Sequence, residues 1–284
     1  MGVAIPPTST CLPAVALRPY ICGYAGFRIS GLPPGTIIGS PSRNIHLIIS
    51  FGAPITVLRM PDRSRSPAAY QALVGGLQLG PALVRQDSEA YGMHVFLTAP
   101  GVRSILGVPS AELASLVVDL RDIWGSSIPG LIDRLECART WPERFRILDE
   151  AFTKRLAPCA FAPEIDHAWR ELTRSHGCAR IQELARTIGW SRRHFSERFR
   201  STLGISPKSA GRIFRFERAS RLMKDHHALA EVAAACGYYD QAHMSHEWAS
   251  LAGCSPQEWI AEQLPFVQDY ELAGRDPWTS GVGA

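Results

Sequence analysis

No apolar run in this chain of 284 residues reaches the roughly 18–20 residues that span a bilayer, which excludes a transmembrane helix. The first residues, MGVAIPPTSTCLPAVAL, lack a basic start and are broken by prolines, so a signal peptide is not expected. The seven cysteines, at 11, 22, 137, 159, 178, 236 and 254, contain no CxxC pair. They form neither a disulfide framework nor a zinc ribbon, and an odd, scattered set predicts reduced thiols in a cytoplasm. The sequence has no GxSxG, HExxH or P-loop, and Cys11 and Cys22 have no clustered partners. Catalysis is therefore not expected, nor is a bound cofactor or metal.

Cationic side chains are also missing where they might be expected. Between Asp225 and Pro265 there are six acids and neither Lys nor Arg, whereas Arg180 to Lys224 holds ten Arg and two Lys against three Glu. The net charge of +4 thus hides a segment of +9 followed by one of −6. A concentrated basic block suits a polyanionic partner; it also suits a plain solvated surface.

What is present divides into two halves. IHLIISF (45–51), ITVLRM (55–60) and YGMHVFLTA (91–99) are short β-branched and aromatic runs separated by Gly/Pro turns, the pattern of strands. From 110 the period changes: SAELASLVVDLRDIW predicts a helix over 110–124 capped by Ser110, and two more follow at 128–139 and 142–156. The expected fold class is α+β multidomain. Residues 1–14 are expected to be a disordered lead-in, 15–157 a β-rich domain ending in a helical hairpin, 158–163 (PCAFAP) a linker, 164–265 a separate all-α domain, and 266–284 a flexible tail. Within the hairpin Leu131, Leu135, Phe145 and Leu148 are placed as helix-core residues or as a dimer seam.

The all-α half repeats itself. IQELARTIGWSRRHFSERFRSTLGISP (181–207) aligns with LAEVAAACGYYDQAHMSHEWASLAGCSP (229–256), at an offset of 48 as far as the turn and 49 after it. Gly189 matches Gly237, Phe195 matches Met244, Phe199 matches Trp248, and Pro207 matches Pro256. Each unit is a short helix, a glycine turn, a polar cap (Ser191, Asp240) and a second helix with one apolar face. Ala185 and Ala233 are small where the paired helices should cross. His243 repeats His194, and Cys236 takes the apolar position of Ile188, so His243 and His246 are read as helix-face residues and not as metal ligands.

With Leu184-Ala185, Gly189, Phe195, Phe199, Gly204 and Ser206-Pro207 in one unit, and Val232-Ala233, Gly237-Tyr238, Met244, Trp248, Gly253 and Ser255-Pro256 in the other, residues 164–263 resemble the C-terminal domain of the AraC/XylS bacterial transcription regulators. Arg218-Ala219 and Leu222 in the connecting helix belong to the same pattern; Tyr238 and Trp248 replace the usual phenylalanines. The resemblance implies two recognition helices, about 191–200 and 240–249, in successive major grooves of double-stranded DNA. It also implies a preceding effector or dimerising domain, here resembling a small cupin-like β-barrel sensor, together with RNA polymerase as a partner, a possible homodimer and a possible small-molecule effector.

On a recognition helix the N-terminal polar face reads bases. The expected base-reading residues are Arg192, Arg193, Ser196 and Glu197 in the first unit and Gln241, Ala242, Ser245 and His246 in the second. Arg180, Arg200, Lys208, Arg212 and Arg215 are expected to contact phosphates, which position the protein without specifying sequence. His46 and His94 stand alone on apolar strands and are expected to be core or pocket-lining. Ala242 and the acidic second unit leave room for an interaction protein with weakened sequence reading. An enzyme targeted to DNA is the remote alternative.

Overall fold

The computed structural model describes residues 9–31 and 33–261. Ten strands occupy the first half: β1 (Ser9–Cys11), β2 (Ile21–Ser30), β3 (Gly35–Gly39), β4 (Ile45–Ser50), β5 (Ile55–Arg59), β6 (Ala68–Tyr70), β7 (Ala72–Gly75), β8 (Ala82–Gln86), β9 (Glu89–Leu97) and β10 (Val117–Asp119). They form two antiparallel sheets, ordered β1-β2-β9-β4-β7-β10 and β3-β8-β5-β6. The expected barrel is thus two facing sheets among the described residues, not one closed cylinder. The strand period explains the layering. On β4, Ile45, Leu47 and Ile49 join the main core, while His46 and Ile48 face a cavity between the sheets.

The far face of the larger sheet is covered by helices. A single turn, α1 (Ala99–Gly101), and a 3-10 turn at Ser110–Leu113 lead into β10 and then α2 (Leu120–Trp124), α3 (Ser127–Cys137) and α4 (Trp141–Arg155). The predicted helix over 110–124 is therefore three pieces. Val117 and Val118 pair with Gly75 and Val74 of β7, and this ladder outweighs the local helical period. The predicted hairpin helices at 128–139 and 142–156 correspond to α3 and α4. Leu131, Leu135, Phe145 and Leu148 all lie in the core, so they hold the hairpin on the sheet of the same chain. Tyr24 of β2 stacks on Phe145 at 6.0 Å and donates to Asp149 Oδ1 of α4 at 2.9 Å.

Two expectations for the chain's connections are altered. Ser9–Cys11 is a strand paired with Tyr24–Gly26, not disordered lead-in. The predicted linker is stitched to the first domain: the Cys159 N–H donates to Ser104 Oγ at 3.0 Å, and Ser104 Oγ donates to Cys159 O at 3.1 Å. The expected tail over 266–284 and the first eight residues lie outside the described residues.

The second half is α5 (Pro163–Arg174), α6 (Ile181–Thr187), α7 (Arg192–Leu203), α8 (Pro207–Lys224), α9 (Leu229–Ala235), α10 (Gln241–Ala252) and α11 (Pro256–Ala261). Its first unit is not separate in its packing. Leu184, Phe195, Phe199 and Phe214 continue the cluster that begins between sheet and hairpin. The second unit has its own cluster, built on Phe216, Met223, Val232, Met244 and Trp248.

Candidate nucleic-acid interface

The two units are built alike, atom by atom. Ser191 Oγ accepts the His194 N–H at 3.2 Å, and Asp240 Oδ1 accepts the His243 N–H at 2.7 Å, so each cap satisfies a backbone donor of the following helix. The turns pass through Gly189 (φ 76°) and Gly237 (φ 73°), and the helices end on Gly204 (φ 79°) and Gly253 (φ 77°). All four are left-handed positions that side chains adopt only under strain. Ala185 and Ala233 are both buried at the predicted crossings. His194 sits edge-on to Trp190 at 4.8 Å and His243 edge-on to Tyr238 at 5.6 Å, so the paired histidines brace the start of each helix.

Burial sorts the predicted readers into one face per helix. Phe195, Phe199, Met244 and Trp248 point inward and are fully buried. Arg192, Arg193, Glu197, Gln241, Ala242 and His246 are exposed, and Ser196 and Ser245 are half-buried at equivalent places. The Arg193 side chain is 90 % exposed and ion-paired to Glu197 at 2.9 Å, four residues on. That pair holds the arginine's hydrogen bond and charge together on the helix face and raises its pKa. Cys236 is buried as its match to Ile188 required, and burial pushes its thiol up to about 11.

The cationic residues differ more than their sequence suggests. Arg180, Arg200 and Lys208 are exposed. Arg212 and Arg215 of α8 both reach Glu247, at 3.3 and 2.8 Å, and Glu247 is buried on the inner face of α10. Arg215 also donates to Gly177 O at 3.1 Å and lies over the Tyr238 ring. Burial disfavours its charge, but the Glu247 carboxylate outweighs this and the pKa rises. Arg215 therefore fastens the second recognition helix to α8. Sequence reasoning also passed over Tyr239, the extra residue in the second turn, which is 92 % exposed beside the N-cap of α10.

Each recognition helix rests its C-terminal end on the first domain. A Cβ on Gly204 would stand 2.3 Å from Ala114 Cβ, and one on Gly253 would stand 2.9 Å from Pro81 Cγ. Between them, Glu217 of α8 accepts the Arg43 N–H at 2.7 Å and pairs with its guanidinium at 2.5 Å. The N-terminal turns of both helices carry exposed side chains.

Two helices with polar faces outward, each braced by a shorter one and set in series, are a pair of helix-turn-helix units, the form in which DNA-binding regulators present their recognition helices. Residues 184–262 match the family model described as a helix-turn-helix domain, and that domain is of the AraC type. Among curated proteins no sequence matches. The fold is shared with solved structures of ToxT from Vibrio cholerae. An apo point variant is 11% identical, with a TM-score of 0.51, over 84% of this chain and 97% of that one. ToxT of strain O395 bound to (E)-4-(8-methylnaphthalen-1-yl)but-3-enoic acid is also 11% identical, with a TM-score of 0.50, over 84% and 98%. No helix among the described residues is long and apolar enough to cross a membrane.

Proposed function

We propose that the chain reads DNA with Arg192, Arg193, Ser196 and Glu197 of α7 and with Gln241, Ala242, Ser245 and His246 of α10. The two helices would enter successive major grooves. The observation that carries this is the repeated split between a buried apolar face and an outward polar face at matching positions of the two units. Arginine can take guanine O6 and N7 together, glutamate can accept from cytosine N4, and glutamine suits adenine. Ala242 can meet only a thymine methyl, so the first unit supplies most of the direct discrimination.

Arg180, Arg200, Lys208 and Arg212 are the proposed phosphate contacts. They carry the salt dependence, because each neutralised phosphate releases counterions. Arg215 is given the fastening role instead. Tyr239 joins the set as a contact to the sugar-phosphate backbone, supported by its exposure at the start of a helix that has no Lys or Arg. The second unit's acidity suits RNA polymerase as a further partner, and a second copy of the chain would extend the DNA site. The reading needs no catalysis and places the protein in the cytoplasm, where its DNA is.

The first domain is proposed to hold a small-molecule effector. A cavity of about 530 Å³ lies between its sheets, lined by Phe27, Ile48, Val57, Leu73 and Val84 with His46 and His94. That volume falls within the range of sites for small ligands. A structure of the same fold, ToxT, holds an aromatic butenoic acid.

The test is selection of binding sites from random DNA by the full-length protein, alongside Arg193→Ala. A discrete motif spanning two major-groove turns, blurred in one half by the substitution, is expected. Diffuse binding with no motif would overturn the reading.

A further inference from the structure

The two helix-turn-helix units share one helix but pack into different apolar clusters. Ile213 and Phe214 of α8 belong to the cluster that begins in the first domain, and Phe216, Ala219 and Met223 of the same helix belong to that of the second unit. Arg215 stands at the change-over. Its Nη1 donates to Gly177 O, in the loop that enters the first unit, at 3.1 Å. Its Nη2 donates to both carboxylate oxygens of Glu247 on α10, at 2.8 and 3.2 Å. The loop is itself pressed on α8: Gly177 has φ 80°, and a Cβ there would stand 2.1 Å from Gly211 O. The next residue, Cys178, donates through Sγ to Cys236 O, at the turn of the second unit, at 3.5 Å.

A second tie lies one turn away. Arg212, three residues before Arg215, donates through Nη2 to Ser250 Oγ at 3.1 Å and pairs with Glu247 at 3.3 Å; Ser250 lies three residues after Glu247. The order is reversed between the helices, 212 with 250 and 215 with 247, so α8 and α10 run in opposite senses where they meet. Residues three apart on a helix share a face and lie about 4.5 Å apart along its axis. One tie makes a pivot; two ties a turn apart fix an angle. The apolar contact beside them, Phe216 to Trp248 at 4.3 Å, fixes how deep α10 sits, but apolar burial has no preferred direction. Hydrogen bonds to a carboxylate have one, and Glu247 is 8% exposed, so water competes little for them.

We propose that Glu247 and Arg215, with Arg212 as the second tie, are positioning residues that set the angle between the two recognition helices, and through it the one half-site spacing that the protein accepts. The spacing rests on the DNA reading above; the angle does not. A guanidinium has five N–H donors, so Arg212 can hold its tie and still meet a phosphate.

The angle is measured in the full-length protein without DNA, by pulsed electron resonance between spin labels carried on non-natural residues at the exposed Arg198 and Ala249 positions. The native chain should give one narrow distance distribution, and Glu247→Gln a broader one. On DNA, moving one half-site by one base pair shifts it by about 3.4 Å and about a tenth of a turn. That should cost the native chain roughly tenfold in affinity, and Glu247→Gln about threefold or less. The double variant Arg215→Met, Glu247→Leu keeps the test independent of folding, because replacing a buried pair by apolar side chains of similar volume is often neutral or stabilising. It too should show the broad distribution and the tolerant spacing, at undiminished thermal stability. Variants as narrow as the native chain, a native distribution that is already broad, or a spacing penalty unchanged in both variants would each overturn the proposal. If the variants broaden the distribution but the native chain selects no DNA motif, the angle stands and the DNA reading falls.

Discussion

Arg193 and Ala242 occupy equivalent positions of the repeat, and under the proposed function the contrast between them would set what each unit reads. The Arg193 guanidinium is outward and already oriented by Glu197. Ala242 presents a methyl group. Arg193→Ala should therefore lower affinity for the selected site by roughly tenfold or more and relax one position, whereas Ala242→Gly should change affinity little, both measured by titration of labelled DNA. Tyr239→Ala should weaken binding about equally on all sequences, since a backbone contact carries no base information. The inward and outward faces of the recognition helices were legible in the sequence because two copies of one pattern constrain each other. The fate of Arg215 was not, because Glu247 lies 32 residues away on another helix. The buried histidines carry a prediction of their own. Desolvation holds His46 near 4, against an ordinary value of 6.5, although the Glu217 carboxylate opposes this. The unfolded chain therefore binds more protons than the native one between those values, and stability must fall as the pH drops from about 6.5 toward 4. Thermal melts across that range should show the fall, and His46→Phe should reduce it, with His94 and His176, which burial also lowers, carrying the remainder.

At the scale of elements, the glycines that end the recognition helices do two things at once. Gly189 and Gly204 share the left-handed conformation, but a Cβ on Gly189 meets nothing within 4 Å, whereas one on Gly204 meets Ala114 and Ala111. Gly189→Ala should cost only backbone strain, about 1 kcal/mol. Gly204→Ala should cost more, and Ala114→Gly should recover part of the difference in a chemical denaturation series. Equal costs at the two glycines would mean that α7 does not rest on the 3-10 turn at Ser110–Leu113. That turn also marks where sequence reading of elements failed. The apolar spacing over 110–124 fits one helix, yet Val117 and Val118 are taken up by the β7 ladder, a long-range pairing that no local window contains. The strands at 45–50, 55–59 and 89–97 were legible because their β-branched and aromatic runs and their turns agree.

Strands fill the first half of the chain and helices the second, but the packing does not divide at that boundary. One hydrophobic cluster runs from the sheets through α3 and α4 into the first helix-turn-helix unit, while the second unit has an apolar cluster of its own and meets the first domain at Gly253 and Pro81. On the polar side the halves are joined at Glu217, which pairs with Arg43, their side chains 17% and 14% exposed, and also accepts from Ser42 Oγ at 3.1 Å. Arg43 is also stacked over Phe214, so one residue touches both the charge and the apolar core of the first unit. Neither partner announces itself locally: Arg43 sits in the loop between β3 and β4, 174 residues before its carboxylate. Removing one member strands the other in a part-buried place, so Arg43→Ala and Glu217→Ala should each destabilise the protein, by about 3 kcal/mol. The double variant should cost little more than either single one, because both remove the same interaction. If the contact also fixes the first unit against the sheets, all three variants should raise amide exchange in α6 and α7 and leave α9 and α10, which close on their own core, almost unchanged. Additive losses, or exchange that rises equally in both units, would show that the halves are held by the apolar cluster alone.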